Sequence, residues 1–180
     1  MTSNKVFENC VKMCIDRGFV IEKQIPERLV LIAKEPDNEF HQVFFCFRNI
    51  KIGVSDIKNI LEEISCPHII IVCENVTSSA KKEIEKEKIP SKLEIFTNQE
   101  MAFNIFEHDL LKDQKPFLVK KPKDIERVKR RYKSFAVLPT ILHTDKVARR
   151  LGLQPGDLIL VPGVDNLTSQ FMICRLAPGN

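Results

Sequence analysis

The sequence predicts two folded parts: an N-terminal α/β unit, in which helices cover a mixed sheet, and a smaller α+β unit that follows it. Helix-like and strand-like patterns alternate until about residue 100, and prolines then punctuate shorter segments. Charge divides the chain at the same point, because residues 1–104 hold 14 Lys/Arg and 16 Asp/Glu, whereas residues 105–180 hold 14 and 8. We therefore predict domains over 1–104 and 105–180 that face different partners.

The N-terminal part begins with an amphipathic helix. Phe7, Cys10 and Cys14 recur at helical spacing, and Arg17-Gly18 supplies a basic last turn followed by a residue suited to a left-handed cap. Short apolar runs rich in strand formers then predict buried strands, the third of them central, at Leu29–Ala33, Val43–Phe47, Ile69–Val72 and Leu93–Phe96. Two more helices are predicted between the strands, the first capped by Ser55 and closed by Cys66-Pro67, the second running from Thr77 or Ser78 through Lys88 to Pro90.

The C-terminal part combines two helical segments with a strand pair. Asp124–Lys133 is predicted to be helical, and Thr144 is expected to cap a short helix that ends at Gly152. Leu158–Val161 and Phe171–Cys174 are predicted to pair as strands around a loop over Gly163–Ser169.

Composition narrows the class of protein. With 43% apolar and 29% charged residues the chain can bury a core, and no run approaches the roughly 18 apolar residues of a membrane span. The first twenty residues do not resemble a signal peptide, so we expect a soluble, intracellular protein. The six cysteines lie in apolar or periodic segments without paired CxxC spacing, which predicts reduced, buried thiols over disulfides or a zinc site.

Catalytic residues are not indicated. Glu107-His108-Asp109 and the set Asp56, Glu62 and Glu63 contain acid/base and carboxylate groups, but neither has the rest of a site. The four histidines have no metal-ligand spacing, and no Gly-rich phosphate loop occurs. A nuclease would need acids and a lysine on one strand edge, which the predicted strands lack. We expect no enzyme activity, metal, cofactor or small-molecule substrate.

Two segments suit an anionic partner. Residues 120–133 hold eight basic residues against two acidic ones, which is typical of a surface beside phosphates or an acidic protein, or of a solvated helix face. The second segment follows the central strand and opens a helix, so its N–H groups and hydroxyls can face a phosphate or form a plain N-cap. Its candidate residues are Thr77, Ser78, Ser79, Lys81 and Lys82.

Ordered motifs across nearly the whole chain resemble a known family, the small subunit shared by eukaryotic RNA polymerases I, II and III. In the first part these motifs are Asp16-Arg17-Gly18-Phe19-Val20, Lys51-Ile52-Gly53-Val54, Ile57-Lys58, Ile70-Ile71-Val72 and Thr77-Ser78-Ser79-Ala80-Lys81. In the second part, where the likeness is most specific, they are Phe106-Glu107-His108-Asp109-Leu110, Arg131-Tyr132-Lys133, Leu138-Pro139 and the run from Asp145 to Asp157.

The resemblance implies a non-catalytic nuclear subunit. Its N-terminal jaw domain is expected to resemble a restriction-endonuclease-like core without an active site and to lie near downstream duplex DNA. Its C-terminal assembly domain, the part that archaeal relatives possess, is expected to dock on the largest polymerase subunit, beside the other subunits. The expected interface residues are Glu107, His108, Pro139, Arg149, Gly152, Gly156 and Arg175, although a structural role fits Arg149 and Arg175 equally well.

Three features differ from the family pattern. The segment between the first helix and the second strand is shorter, Ser78 stands where Pro is common, and Gly163–Ser169 replaces an Arg-Pro-Ser-Glu-Thr-Ala-Gly loop. The alternative function is a free-standing nucleic-acid-binding adaptor that uses residues 120–133, and a metal-dependent nuclease is the enzyme alternative. Neither a membrane nor a small molecule is an expected partner.

Overall fold

The structure, a computed structural model, describes residues 2–26, 30–35, 38–86, 92–109, 111–163 and 169–175. The chain divides into two compact units, Met1–Phe103 and Asn104–Asn180. Each unit has its own sheet and its own buried clusters of apolar side chains.

The N-terminal unit is built on a five-stranded mixed sheet. Its strands are β1 (Val20–Ile25), β2 (Val30–Glu35), β3 (Asn38–Ile52), β4 (His68–Val76) and β5 (Lys92–Thr97), and their order in the sheet follows the sequence. The first three strands form an antiparallel meander, whereas β3, β4 and β5 run parallel. Helix α1 (Thr2–Asp16) precedes the sheet, and α2 (Val54–Glu63), α3 (Ser78–Lys86) and α4 (Asn98–Met101) each follow one parallel strand.

Alternating side chains of β4 divide the core between the two faces of the sheet. Ile70 and Val72 pack with α1, which buries Phe7, Cys10 and Met13 at helical spacing. On the opposite face, residues of β4 pack with α2 and α3 in a second cluster, which includes Ile57, Ile60, Ile69, Ile71, Cys73 and Ala80. The prediction of a mixed sheet covered by helices is confirmed.

The C-terminal unit is a four-stranded sheet with a helix on each face. Its strands are β6 (Phe117–Leu118), β7 (Thr140–Leu142), β8 (Leu158–Val161) and β9 (Gln170–Arg175), in the order β6-β8-β9-β7. Helix α5 (Pro122–Tyr132) packs through Val128 against Leu158 and Ile173, and α6 (Lys146–Leu151) packs through Ala148 against Ile159 and Cys174. The predicted pairing of the last two strands is confirmed, since β8 and β9 are antiparallel.

Two predicted helix caps are wrong. The N-cap of α2 is Gly53 and not Ser55, because the Gly53 N–H donates to the Asp56 carboxylate at 2.8 Å and the helix begins at Val54. The N-cap of α6 is Asp145 and not Thr144, since the Asp145 carboxylate accepts the Val147 N–H at 2.7 Å. At α6 the Asp145 carboxylate takes the place of the Thr144 hydroxyl, whereas at α2 Ser55 lies inside the first helical turn and is not a flanking residue.

Smaller differences concern element bounds. Helix α2 ends at Glu63, before Cys66-Pro67, and α5 begins two residues earlier than predicted with Pro122 in its first turn. Strands β1, β6 and β7 and helix α4 were not predicted from the sequence. The predictions made for Leu29, Lys88, Pro90 and most of the Gly163–Ser169 loop lie outside the described residues.

Candidate nucleic-acid and subunit interfaces

Helix N-termini gather at one edge of the N-terminal sheet. The parallel strands β3, β4 and β5 end at Ile52, Val76 and Thr97, and a helix begins within two residues of each end. The Thr77 N–H donates to the Ile52 carbonyl at 3.1 Å, which holds the start of α3 beside the end of β3. This carboxyl edge of the sheet therefore concentrates partial positive charge from the helix N-termini.

Thr77 is the N-cap of α3. Its hydroxyl oxygen accepts the Ala80 N–H at 3.2 Å and lies 3.3 Å from the Ser79 hydroxyl, while its carbonyl accepts the Lys81 N–H. The N-cap function, one of the two alternatives left by the sequence, is therefore present. It leaves exposed the side chains of Ser78, Ser79, Lys81 and Lys82.

The three helix starts differ in charge. Asp56 lies in the first turn of α2 and accepts the Gly53 N–H, and Glu100 in α4 accepts the Thr97 N–H at 2.8 Å. The first turn of α3, which is described throughout, carries no acid and instead includes a lysine. The N-terminus of α3 is thus the part of this edge that is best suited to an anion.

A buried ionic cluster lies at the other end of the parallel strands. Arg17 donates two hydrogen bonds to the Glu94 carboxylate at 2.9 and 2.8 Å, and His68 Nε2 lies 2.7 Å from Glu94 Oε1. Burial would raise the pKa of Glu94, but the Arg17 guanidinium and the His68 hydrogen bond hold it well below its usual range. Burial lowers the pKa of His68 despite the nearby carboxylate.

This cluster joins the end of α1 to β4 and β5. The sequence did not predict this cluster, although a single His and a single Glu beside apolar strand residues are a usable signal for buried polar partners. Its groups are occupied with one another, so we assign it a structural function.

Catalytic groupings are not found in the described part of the chain. Asp56 is engaged at the start of α2, and Glu63 lies 3.6 Å from the Arg48 guanidinium. Within the described ranges, no group of three or more His, Cys, Asp or Glu side chains is placed to hold a metal ion. The Glu107 and Asp109 side chains are exposed and contact Asn104 and Lys112.

The cysteines are free thiols, as predicted, and five of the six are buried. Cys66 differs, because it is half-buried and its Sγ lies 3.1 Å from the Gln42 carbonyl oxygen. Burial raises the pKa of Cys46 and Cys174, and it raises the pKa of Cys73 to about 11. These buried thiols stay protonated at neutral pH, which makes them poor nucleophiles.

Four of the expected subunit-interface residues lie around the turn that joins α6 to β8 and at the end of β9. Gly152 caps α6 with a φ of 67°, and Gly156 has a φ of 99° and donates its N–H to the Cys174 carbonyl. Arg149 is half-buried on α6, and Arg175 is exposed at the end of β9. Both glycines thus adopt backbone conformations that favour glycine.

The other three expected residues lie earlier in the C-terminal unit. The exposed Pro139 precedes β7, and its carbonyl accepts the Ile173 N–H at 2.9 Å. Glu107 and His108 are exposed in and after a short 3-10 helix over Ile105–Glu107. This pair precedes the first strand of the C-terminal sheet, whereas Arg149 lies on α6, after β7.

An apolar groove lies on the C-terminal unit beside β7. It encloses about 600 Å³. Its lining includes Leu111, Pro116, Ile141, Leu142, Val147 and Met172. Leu142 is 42% exposed and pairs in the sheet with Arg175, so the groove adjoins one of the expected interface residues.

Together, these surfaces are typical of a two-unit α/β protein that contacts other macromolecules.

No protein-family model matches the chain. Curated relatives named DNA-directed RNA polymerases I, II, and III subunit RPABC1 from Caenorhabditis elegans and Caenorhabditis briggsae are each 29% identical to it over 154 residues, covering 82% of this chain and 72% of the relative. The similarly named protein of Dictyostelium discoideum is 26% identical over 190 residues, covering 96% of this chain and 95% of the relative.

The chain is therefore similar over most of its length to subunits shared by RNA polymerases I, II and III, which confirms the resemblance drawn from its motifs. The aligned length spans both units. In addition, no helix in the described part is long and apolar enough to cross a membrane.

Proposed function

We propose that this chain is a non-catalytic subunit of nuclear RNA polymerases I, II and III, and that it acts in transcription. One observation carries the proposal: the alignment with the Dictyostelium discoideum subunit covers 96% of this chain and 95% of the relative, so both units have counterparts. A subunit of these enzymes acts in the nucleus, which is the expected location.

Purification of the tagged full-length chain from nuclei tests membership directly. We expect mass spectrometry to find the largest subunits of all three polymerases in stoichiometric amounts. Recovery of one polymerase alone would restrict the assignment to that enzyme, and recovery of none would overturn it.

The C-terminal unit is the proposed docking surface for the largest subunit. Arg175 is exposed beside the apolar groove, so charge and apolar area adjoin as in typical subunit interfaces. Arg149, Gly152, Gly156, Pro139, Glu107 and His108 complete the proposed contact set.

Charge reversal at Arg175 tests this surface. In the tagged full-length chain, Arg175→Glu should weaken binding of the largest subunit by about thirtyfold and reduce its recovery accordingly, since an unpaired or repelling interface charge costs on the order of 2 kcal/mol. Arg130→Glu is the matched control, because Arg130 is an exposed arginine of the same unit that lies outside the proposed contact set. Equal recovery with the Arg175 and Arg130 variants would place the docking surface elsewhere.

The N-terminal unit is proposed to face downstream duplex DNA through the start of α3. The support is the acid-free first turn of α3 with its exposed hydroxyls and with Lys81 and Lys82. In the assembled polymerase, Lys81→Ala with Lys82→Ala should weaken crosslinking to downstream DNA, because two phosphate-neutralising charges are lost.

The control for that experiment carries Lys12→Ala with Lys23→Ala, which removes the same charge from α1 and β1. Crosslinking should stay unchanged in the control. If both variants crosslink like the unchanged protein, Thr77 and its neighbours form only a helix cap.

A further inference from the structure

The outward face of α5 is the most strongly charged surface of the C-terminal unit. All of residues 120–133 are described, and the arginines at 127 and 130 have side chains 82% and 83% exposed. We call this surface the α5 basic face and define it by the exposed residues Lys120, Lys121, Lys123, Arg127, Arg130 and Arg131.

Packing of α5 rests mainly on apolar side chains; of the cations that define the face, Arg131 lies over the Tyr132 ring, 5.5 Å from its centroid. The helix is anchored by Val128, which is 3% exposed, and by the partly buried Ile125 and Tyr132 on the same side. The Tyr132 ring meets Phe171 edge-on, with centroids 6.4 Å apart. Because Lys123, Arg127 and Arg130 follow one another at spacings of four and three residues, they form a row on the side away from the core.

The two acids of the segment already pair within the helix. Asp124 lies 3.5 Å from Arg127, and Glu126 lies 3.3 Å from Arg130. Exposed pairs of this kind are weak and readily exchanged for another anion. The segment keeps a formal excess of six positive charges, since it holds eight basic residues and two acidic ones.

The composition of this face favours nucleic acid over an acidic protein as the binding partner. Protein interfaces are anchored by buried aromatic or aliphatic side chains, whereas phosphate-backbone contacts need cations alone. Every exposed residue from 120 to 133 is charged except Pro122, and the apolar Ile125, Val128 and Tyr132 face the core. The row from Lys123 to Arg130 extends over about 10 Å, a length over which duplex DNA presents about six phosphates.

We propose that the α5 basic face binds the sugar–phosphate backbone of nucleic acid without reading its sequence. This inference goes beyond the proposed function, because it concerns the C-terminal unit and does not depend on membership of a polymerase.

Fluorescence anisotropy on the free full-length chain tests the inference. The probes are a random-sequence duplex DNA and a single-stranded RNA with the same number of phosphates, and poly-glutamate of equal charge represents an acidic protein. At about 50 mM salt we expect micromolar binding of at least one nucleic acid that weakens steeply as salt rises. The probe that binds more tightly would show whether the face prefers the backbone of duplex DNA or that of single-stranded RNA.

Two variants and a control make the test specific. Lys123→Gln, Arg127→Gln and Arg130→Gln together should weaken binding about tenfold or more and reduce the duplex salt slope by about 0.9 for each phosphate that is no longer neutralised. Glu126→Gln should tighten binding about twofold, because it removes an anion from the row. The control, Lys12→Gln with Lys23→Gln and Lys58→Gln, removes the same charge from the N-terminal unit and should bind like the unchanged protein.

The inference is overturned if neither nucleic acid binds, if the control loses as much affinity as the α5 variant, or if poly-glutamate binds as tightly as both nucleic acids. Should the triple variant fail to fold, unchanged or weaker binding by Glu126→Gln would also overturn it.

Discussion

Replacement of Arg17 by Met is expected to destabilise the N-terminal unit strongly. The Arg17 side chain is 3% exposed, and its guanidinium makes two hydrogen bonds to a Glu94 carboxylate that is 16% exposed. Methionine keeps most of the apolar stem, so what is removed is the guanidinium, with its charge, its hydrogen bonds and its position 6.0 Å from the Phe96 ring centroid.

The size of the loss follows from what remains around Glu94. Removing one partner of a buried pair leaves an uncompensated charge and costs about 3 to 5 kcal/mol. Lys92, 3.6 Å away, is 36% exposed and compensates little, while His68 still donates to the carboxylate. We therefore expect a loss of about 3 kcal/mol, a large part of the stability of a domain of this size. Adding Glu94→Leu should recover about half of it, because the stranded charge is gone.

Urea unfolding followed by far-UV circular dichroism measures the effect. The chain has no tryptophan and a single tyrosine, Tyr132, so tyrosine fluorescence reports the C-terminal unit alone and locates the loss. Arg48→Met is the matched control, because Arg48 pairs with Glu63 at 3.6 Å while both side chains are more than 40% exposed. Equal losses from the Arg17 and Arg48 variants would refute the conclusion that burial makes the first pair strong.

Three more outcomes are expected. Folding lowers the pKa of both His68 and Glu94, so the contribution of this cluster to stability is full above about pH 6.5 and falls as acid protonates His68 and then Glu94. The variant His68→Gln should therefore show a smaller difference between the urea midpoints measured at pH 7 and at pH 5. Thr77→Ala should cost about 1 kcal/mol in thermal or urea unfolding, and Thr77→Ser much less, because only the hydroxyl caps α3. Under native conditions a thiol reagent should modify Cys66 first and Cys73 only after unfolding, as peptide mass spectrometry can show.

The elements that the sequence predicted well are those whose apolar residues are buried on a regular period. Ile69–Val72 is buried on both faces and was predicted as a strand, whereas β1 presents mostly exposed polar residues and was not. Strands β6 and β7, of two and three residues, are too short to show a period. Both are held by register with longer neighbours, which is tertiary information.

Among the candidate site residues, too, those whose role depends on local sequence could be predicted, and those brought together by the fold could not. Thr77 could be predicted because capping is local, and Gly152 because a left-handed residue ends α6. The cluster of Arg17, His68 and Glu94 joins residues up to 77 positions apart, and no local pattern connects them. Thr144 failed as a cap because the neighbouring Asp145 accepts the Val147 N–H instead, and Ser55 failed because α2 begins at Val54, one residue before it. A list of preferred cap residues does not settle which of several neighbours begins the helix.

The carboxyl edge of the N-terminal sheet shows why binding suits it better than chemistry. In open α/β sheets, ligands and catalytic groups gather at this edge. Here Asp56 and Glu100 each accept an N–H at the start of a helix, and Thr77 does the same for α3. Carboxylates engaged in this way serve the fold, since releasing them would leave helix N–H groups without acceptors. The exposed groups at the start of α3 are serine hydroxyls and the ammonium groups of Lys81 and Lys82, which can hold a phosphate but cannot act as the acids of a nuclease.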